Sequence, residues 1–244
     1  TTEQFAYRAH ALDKIEMVAR ILQAEGRGAT MVFTRTKRTA QKVADELAER
    51  GFKVGAVHGD LGQIAREKAL KAFRTGEVDV LVATDVAARG IDIDDITHVI
   101  NYQIPEDEQA SVHRIGRTGR AGKTGIAITL VDWDELERWS MINRVLKLDC
   151  PDPAETYSTS PHFYEEMGIP AEAGGSIGSA RKTQTARKTQ SARGPAKDES
   201  RISSTDKSDR PARNRSRQRT RGTAATGGHA ESPSTATNSP APTS

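Results

Sequence analysis

The sequence predicts a doubly wound α/β domain, a parallel sheet with helices on both faces, over residues 1–150. A short extension at 151–170 and a disordered, basic, low-complexity tail at 171–244 complete the expected organisation. Three observations carry this reading. Short β-branched runs alternate with amphipathic stretches through the first 148 residues, as in a sheet built from crossover units. Every Phe, Tyr and Trp lies at or before Tyr164. From about Ala171 onward the chain is Ser, Thr, Ala, Arg, Lys, Gly and Pro, which cannot bury enough apolar surface to offset the entropy of ordering it.

The strands are expected at Thr30–Phe33 (TMVF), Val54–Val57 (VGAV), Val80–Ala83 (VLVA), His98–Asn101 (HVIN) and Ile126–Leu130 (IAITL). Between them lie helical patterns. Leu12–Ala24 has apolar residues at 12, 15, 18, 19 and 22, and Thr36–Arg50 gathers Ala40, Val43, Ala44, Leu47 and Ala48 on one face. Ile64–Phe73 and Asp134–Leu146 behave likewise, so the count is five strands and four or five helices. In such sheets ligands bind at the carboxyl ends of the strands. The loops after Phe33, Val57, Ala83 and Asn101 are therefore the ones to inspect.

The net charge of +3 and pI near 9.0 hide a division. Residues 171–244 hold 14 Lys and Arg against 6 Asp and Glu, whereas residues 1–170 hold 22 against 27. A cationic segment on a mildly acidic domain calls for a polyanionic partner, and nucleic acid suits it better than a membrane because no apolar face accompanies the charge. The tail also repeats ARKTQT at 180–185 as ARKTQS at 186–191, ahead of an arginine-dense run at 210–222. With no ring after Tyr164 it lacks stacking platforms and is expected to act as an electrostatic tether. A single cysteine, Cys150, excludes an internal disulfide, and six scattered histidines give no metal-ligand spacing. No run approaches the ~18 apolar residues of a membrane span and no signal-peptide pattern opens the chain, so a soluble, cytoplasmic protein is expected. The chain opens on Thr1 without Met, and further sequence upstream is expected.

Three segments carry chemistry. His113–Arg120, HRIGRTGR, spaces Arg114, Arg117 and Arg120 by three, so that they project to one side of a helix or tight turn and can converge on one anion. Val80–Ile93, VLVATDVAARGIDI, runs a buried strand into Thr84, Asp85, two alanines and Arg89-Gly90, a loop that admits a sugar–phosphate backbone. His58–Arg66, HGDLGQIAR, makes a turn and places Gln63 and Arg66 on one face of a helix start. Taken singly, each also fits a solvated basic face, an ordinary strand end or a capped helix. Gly122-Lys123-Thr124 imitates the end of a P-loop, but Arg117 stands where that motif needs Gly, and the segment leads into a strand. No Walker A and no DEAD-like acidic motif occurs in the 244 residues.

The order of these segments resembles the DEAD-box RNA helicases over residues 5–148. VFTRT at 32–36 is similar to that family's motif IV, HGDLGQIAR to motif IVa, ATDVAARGIDI to motif V and HRIGRTGR to motif VI. The resemblance implies a RecA-like domain, the second of two, closing over ATP with a first domain that brings the nucleotide and Mg²⁺ anchors. It implies Arg117 and Arg120 as arginine fingers, His113 and Arg114 as supports of the interdomain cleft, and Asp92 and Gly90 beside the nucleotide. It also implies backbone contacts to RNA, independent of base sequence, from Arg66, Thr84, Arg89 and Gly90, with Gly59, Gln63, Thr34 and Arg35 as neighbours. Two alternatives stay open: a non-catalytic RNA-binding or annealing protein, and a DNA helicase of the wider superfamily.

Overall fold

Strands covered on both faces read as continuous apolar runs, and the two most buried strands of this sheet do so. The computed structural model describes residues 1–178. In chain order these are β1 (Thr2–Arg8), α1 (Lys14–Ile21), β2 (Ala29–Thr34), α2 (Lys37–Glu49), β3 (Val54–Val57), α3 (Gln63–Thr75), β4 (Val80–Thr84), β5 (Ile96–Asn101), α4 (Glu108–Ile115), β6 (Gly125–Val131), a 3-10 turn (Trp133–Glu135), α5 (Leu136–Leu146), β7 (Ala154–Glu155) and α6 (Pro161–Met167). All seven strands are parallel, in the order β3-β4-β2-β5-β6-β1-β7. β2 (ATMVFT) and β4 (VLVAT) lie inside this sheet and are buried almost throughout.

Alternation along the strands sorts the core into two faces. Val32, Val82, Ile100 and Ile128 pack with α1, α2 and α6 on the first face. Met31, Phe33, Leu81 and Val99 pack with α3 on the second, where Trp139 and Ile142 of α5 also meet Val131. The connections through α1 and α2 step towards β3 and those through α3, α4 and α5 step back, so right-handed crossovers put the two sets on opposite faces. Local chemistry fixes the helix ends. The Thr36 hydroxyl accepts from the Thr39 N–H at 3.1 Å to start α2, Asp107 accepts from the Ala110 N–H at 2.7 Å to start α4, and α3 stops at Gly76 in the left-handed region.

The expected count of five strands rises to seven. β1 (TEQFAYR) buries only Tyr7 fully and shows weak alternation, and β7 has two residues. The segment from 151 is no appendage either. β7 pairs with β1, and Phe163 of α6, wholly buried, meets the Tyr7 ring edge-on at 5.3 Å. Residues 171–178, expected to belong to the tail, pack on the domain. Gln23 donates to the Gly174 carbonyl at 2.6 Å, Arg50 to the Gly175 carbonyl at 2.8 Å, and the Ile177 N–H to the Arg50 carbonyl at 2.8 Å. Small residues such as Ala173 fill the gap between α1 and α2 without the bulk that composition registers. From residue 179 the expected tail lies outside the described residues.

One buried group sets a pH dependence. His98 on β5 bonds the Thr97 hydroxyl through Nδ1 at 2.8 Å, and burial, aided by the Arg27 charge, pushes its pKa from 6.5 to about 4. Because the folded-state pKa is depressed, the unfolded chain takes up the proton first as pH falls. Stability from this group is full above pH ~6.5 and is lost between there and about pH 4, by roughly 3 kcal/mol. Urea denaturation at neutral pH and near pH ~4.5 checks this: His98→Gln should lose markedly less than the parent, and an equal loss in both overturns the assignment.

Candidate functional site

The carboxyl ends of β3, β4 and β2 stand side by side, and the expected backbone contacts group there. After β3, the buried His58 ring bonds the Gln41 side-chain oxygen through Nε2 at 2.7 Å and accepts the Asp60 N–H at Nδ1, which puts its proton on Nε2. This sets the turn that exposes Gly59 and opens α3. Gln63 bonds Glu67 at 3.0 Å. Arg66, on the next turn of the helix, donates to the Ala87 carbonyl at 2.6 Å and reaches the Arg89 carbonyl at 3.5 Å. It therefore braces the turn after β4 as well as facing solvent in part.

That turn is held from inside. The Thr84 carbonyl accepts from the Ala88 N–H at 3.0 Å, the Thr84 hydroxyl accepts from the Ala87 N–H, and Ala87, Ala88 and Ile91 are buried. Gly90 takes φ +72°, a left-handed conformation that glycine adopts freely, and Arg89 is left outside. Gly59, Gln63, Arg66, Arg89 and Gly90 thus form one surface, with Thr84 mostly beneath it. Thr34 does not join them. It is 0% exposed and donates to the Thr36 carbonyl at 3.1 Å, so it shapes the entry to α2 and is out of reach of RNA. Arg35 is bound at 3.0 Å to Glu135, which also lies 3.6 Å from the buried Lys14 amine. Burial lowers the Lys14 pKa, opposed by Glu135.

Arg114 is the second departure. Expected at the interdomain cleft, it is 1% exposed and bonded mainly within the domain. Nε and Nη2 grip the two Asp85 oxygens at 2.6 Å each, Nη1 donates to the Gln103 carbonyl at 2.6 Å, and the guanidinium sits 5.4 Å from the Phe33 ring centroid. A fork–fork pair of this kind is geometrically specific. It ties α4 to the loop that follows β4, so Arg114 braces the domain with most of its donors committed inside it, at the edge of the cleft that it lines. Motif spacing gave no sign of this, although a carboxylate just past a buried apolar run was visible.

From Asp85 the chain runs back along the second face beside α4 and re-enters the sheet at Ile96. Arg117, Arg120 and Asp92 meet on this return path, away from the strand ends where ligands were expected. Arg117 donates to the Ile91 carbonyl; burial, then the Arg120 charge, lower its pKa, with Asp92 opposing. Arg120 donates to the Gly116 carbonyl at 2.7 Å and stands 3.5 Å from Asp92, which is largely exposed. Arg120 thus holds the Asp92 carboxylate loosely, and the Arg117 charge stands near both. His113 lines, with Asp85, Arg89, Glu106 and Arg117, an open cleft of about 460 Å³ between α4 and the 85–90 turn.

Two residues that sequence reasoning passed over hold the arginine turn. The buried Thr118 hydroxyl donates to the Ile96 and Thr97 carbonyls, and Gly119, at φ +70°, leaves a Cβ only 2.5 Å from the Thr2 hydroxyl oxygen. No side chain fits there. The Gly122-Lys123-Thr124 segment pairs Lys123 with Asp95 and enters β6, as expected of a strand approach. Among the described residues, no cluster of three or more His, Cys, Asp or Glu could hold a metal ion, and no helix is long and apolar enough to cross a membrane.

Residues 13–122 match the helicase conserved C-terminal domain. Over 145 residues the chain is 46% identical to the ATP-dependent RNA helicase CshA of Listeria monocytogenes, covering 59% of this chain and 28% of that protein. The chain spans under a third of the length of such curated relatives. Its fold matches the Escherichia coli DEAD-box protein SrmB bound to regulator of ribonuclease activity A, at 33% identity and a TM-score of 0.60, over 71% of this chain and 97% of that one. Saccharomyces cerevisiae Dbp5 bound to RNA and ADP BeF3 matches at 29% identity and a TM-score of 0.59, over 68% of this chain and 43% of that one.

Proposed function

The chain belongs to the DEAD-box RNA helicases, as their C-terminal RecA-like domain, and from that premise we propose that it is the arginine-finger half of an ATP-dependent helicase that unwinds or remodels RNA duplexes. The observation that carries the reading is the placement of Arg117 beside Arg120, two guanidinium charges near one another with only a loose Arg120 pairing to the exposed Asp92. Such a pair is short of negative charge, and the charge that spreads over phosphate oxygens during phosphoryl transfer would supply it. A first RecA-like domain of the same protein would bring ATP and its Mg²⁺ against this face. His113 would border the closed cleft, and Asp92, released from Arg120, would accept from the ATP ribose.

RNA would lie along the strand-end surface, its sugar–phosphate backbone touching Arg66, Arg89 and the amides about Gly59 and Gly90. Contacts of this kind do not read base sequence. The Asp85–Arg114 brace lies between the two sites and would make their movements interdependent. A cytoplasmic location fits this role, and the Lys- and Arg-rich residues beyond 178 would add salt-sensitive affinity.

RNA-stimulated ATP hydrolysis by the complete protein tests the reading. Arg89→Ala should raise the RNA concentration for half-maximal stimulation about tenfold, lower the salt slope of RNA binding by about one, and leave turnover at saturating RNA nearly unchanged. RNA binding without any hydrolysis would support the annealing alternative instead.

A further inference from the structure

The carboxyl edge of the sheet continues past β2 across β5, β6, β1 and β7, and three rings that the helicase motifs do not include meet on it. His10 follows β1, Trp133 follows β6 and Tyr157 follows β7. The His10 imidazole stacks on the Trp133 indole with centroids 4.2 Å apart and planes at 20°. The Tyr157 ring lies 5.5 Å from the same imidazole, and the Arg8 guanidinium 5.4 Å from the Trp133 centroid.

These rings are on the surface, Trp133 at 38% and Tyr157 at 43% exposure. They are also held from behind. The Ser158 N–H and hydroxyl both donate to Asp13 at 2.7 Å, the Thr156 N–H donates to the Arg8 carbonyl at 2.9 Å, and the Trp133 N–H donates to Asp132 at 2.9 Å. Exposed rings fixed in advance lose little entropy when a flat ligand settles on them. Arg8 adds a second sign of a missing partner. Its Nε is buried with no hydrogen-bond partner among the described residues, and its nearest carboxylate, Asp152, is 4.0 Å away and mostly in solvent.

We infer that the Trp133–His10–Tyr157 cluster is a stacking platform for an unpaired base of the RNA strand that crosses β3, β4 and β2. The inference rests on the RNA-binding reading above and extends it. Continuity supports it: Arg35, at the end of β2, is joined at 3.0 Å to Glu135, in the same 3-10 turn as Trp133. β6 and β1 lie two and three strand spacings from β2, roughly 10 and 14 Å along one edge. Charge selects the mode of contact. Glu155, which accepts from the Tyr157 hydroxyl, and Asp152, 4.0 Å from Arg8, border the rings and repel phosphate, so the platform takes the base face while the basic surface at β3 and β4 takes the backbone. Arg8 supplies donors for the edge of that base.

Binding of oligoadenylate and oligouridylate single strands to the complete protein decides it. Trp133→Ala and His10→Ala should each weaken binding about tenfold, more for adenylate than uridylate, with an unchanged salt slope because no phosphate contact is lost. RNA should quench the indole emission of the 244-residue chain and leave its Trp133→Phe variant unquenched, since Trp139, its other Trp, is buried. Equal affinities and no quenching, with Arg89→Ala still weakened, overturn the platform alone. An Arg89→Ala variant that binds like the parent removes the RNA reading and the platform with it.

Discussion

Arg117→Ala or Arg120→Ala in the complete helicase is expected to lower RNA-stimulated ATP turnover by about three orders of magnitude while leaving the domain folded. The size follows from the work assigned to such a group: an arginine that meets transferring phosphoryl oxygens contributes ~10³–10⁵ in turnover. The selectivity follows from the structure. Arg117 bonds one backbone carbonyl, and Arg120 bonds the Gly116 carbonyl and an exposed Asp92, so neither supports the core. Exposed ion pairs of the Arg120–Asp92 kind contribute ~0–1 kcal/mol. Thermal unfolding should therefore shift little, and the loss should fall on kcat far more than on KM for ATP. Lysine at either position should restore only a fraction, because a point charge cannot fork across two oxygens. Near-normal turnover in both alanine variants would remove the arginine-finger role.

The second large effect concerns stability. Asp85→Ala leaves the Arg114 guanidinium buried without its carboxylate, and removing one member of a buried pair costs ~3–5 kcal/mol. For a domain of this size that is a fall in melting temperature of roughly 10 °C. Asp85→Asn keeps one acceptor and should cost less. The double variant Asp85→Leu/Arg114→Leu should recover part of the loss, since replacing both partners of a buried pair by apolar groups is often neutral. Calorimetry on the 244-residue chain measures all three. An Asp85→Ala shift no larger than that of Arg120→Ala would show that the brace carries no stability.

Much of the fold was legible because periodicity and burial agree. β2 and β4 are mainly apolar and buried almost throughout, and the stripe of Ala40, Val43, Ala44 and Leu47 is the buried face of α2. β1 was not legible: its polar residues alternate poorly, and its place between β6 and β7 comes from long-range pairing that no local pattern encodes. α6 and residues 171–178 escaped because a few small or aromatic side chains fill existing gaps without making a periodic stripe. The same contrast holds at the site. Spacing singled out three arginines and could not say which way each points. Arg114 and Arg117 are three residues apart, yet one is buried against Asp85 and the other is partly open beside Asp92. Thr34 reads as polar surface in sequence and is sealed beneath its strand end in the structure. Burial is a property of the assembled sheet.

The contact between the chain's first residues and the arginine turn has a kinetic consequence. The Thr1 carbonyl accepts the Gly125 N–H at 2.9 Å, and Thr2 packs where Gly119 has no side chain. Whatever is joined ahead of Thr1 leaves the domain beside Arg120. A nucleotide-holding domain attached there by a short linker would meet the arginine pair at millimolar effective concentration. Closure would then be an intramolecular step whose frequency is set by linker length, so lengthening the linker should slow turnover at saturating ATP and RNA without altering a residue of either site.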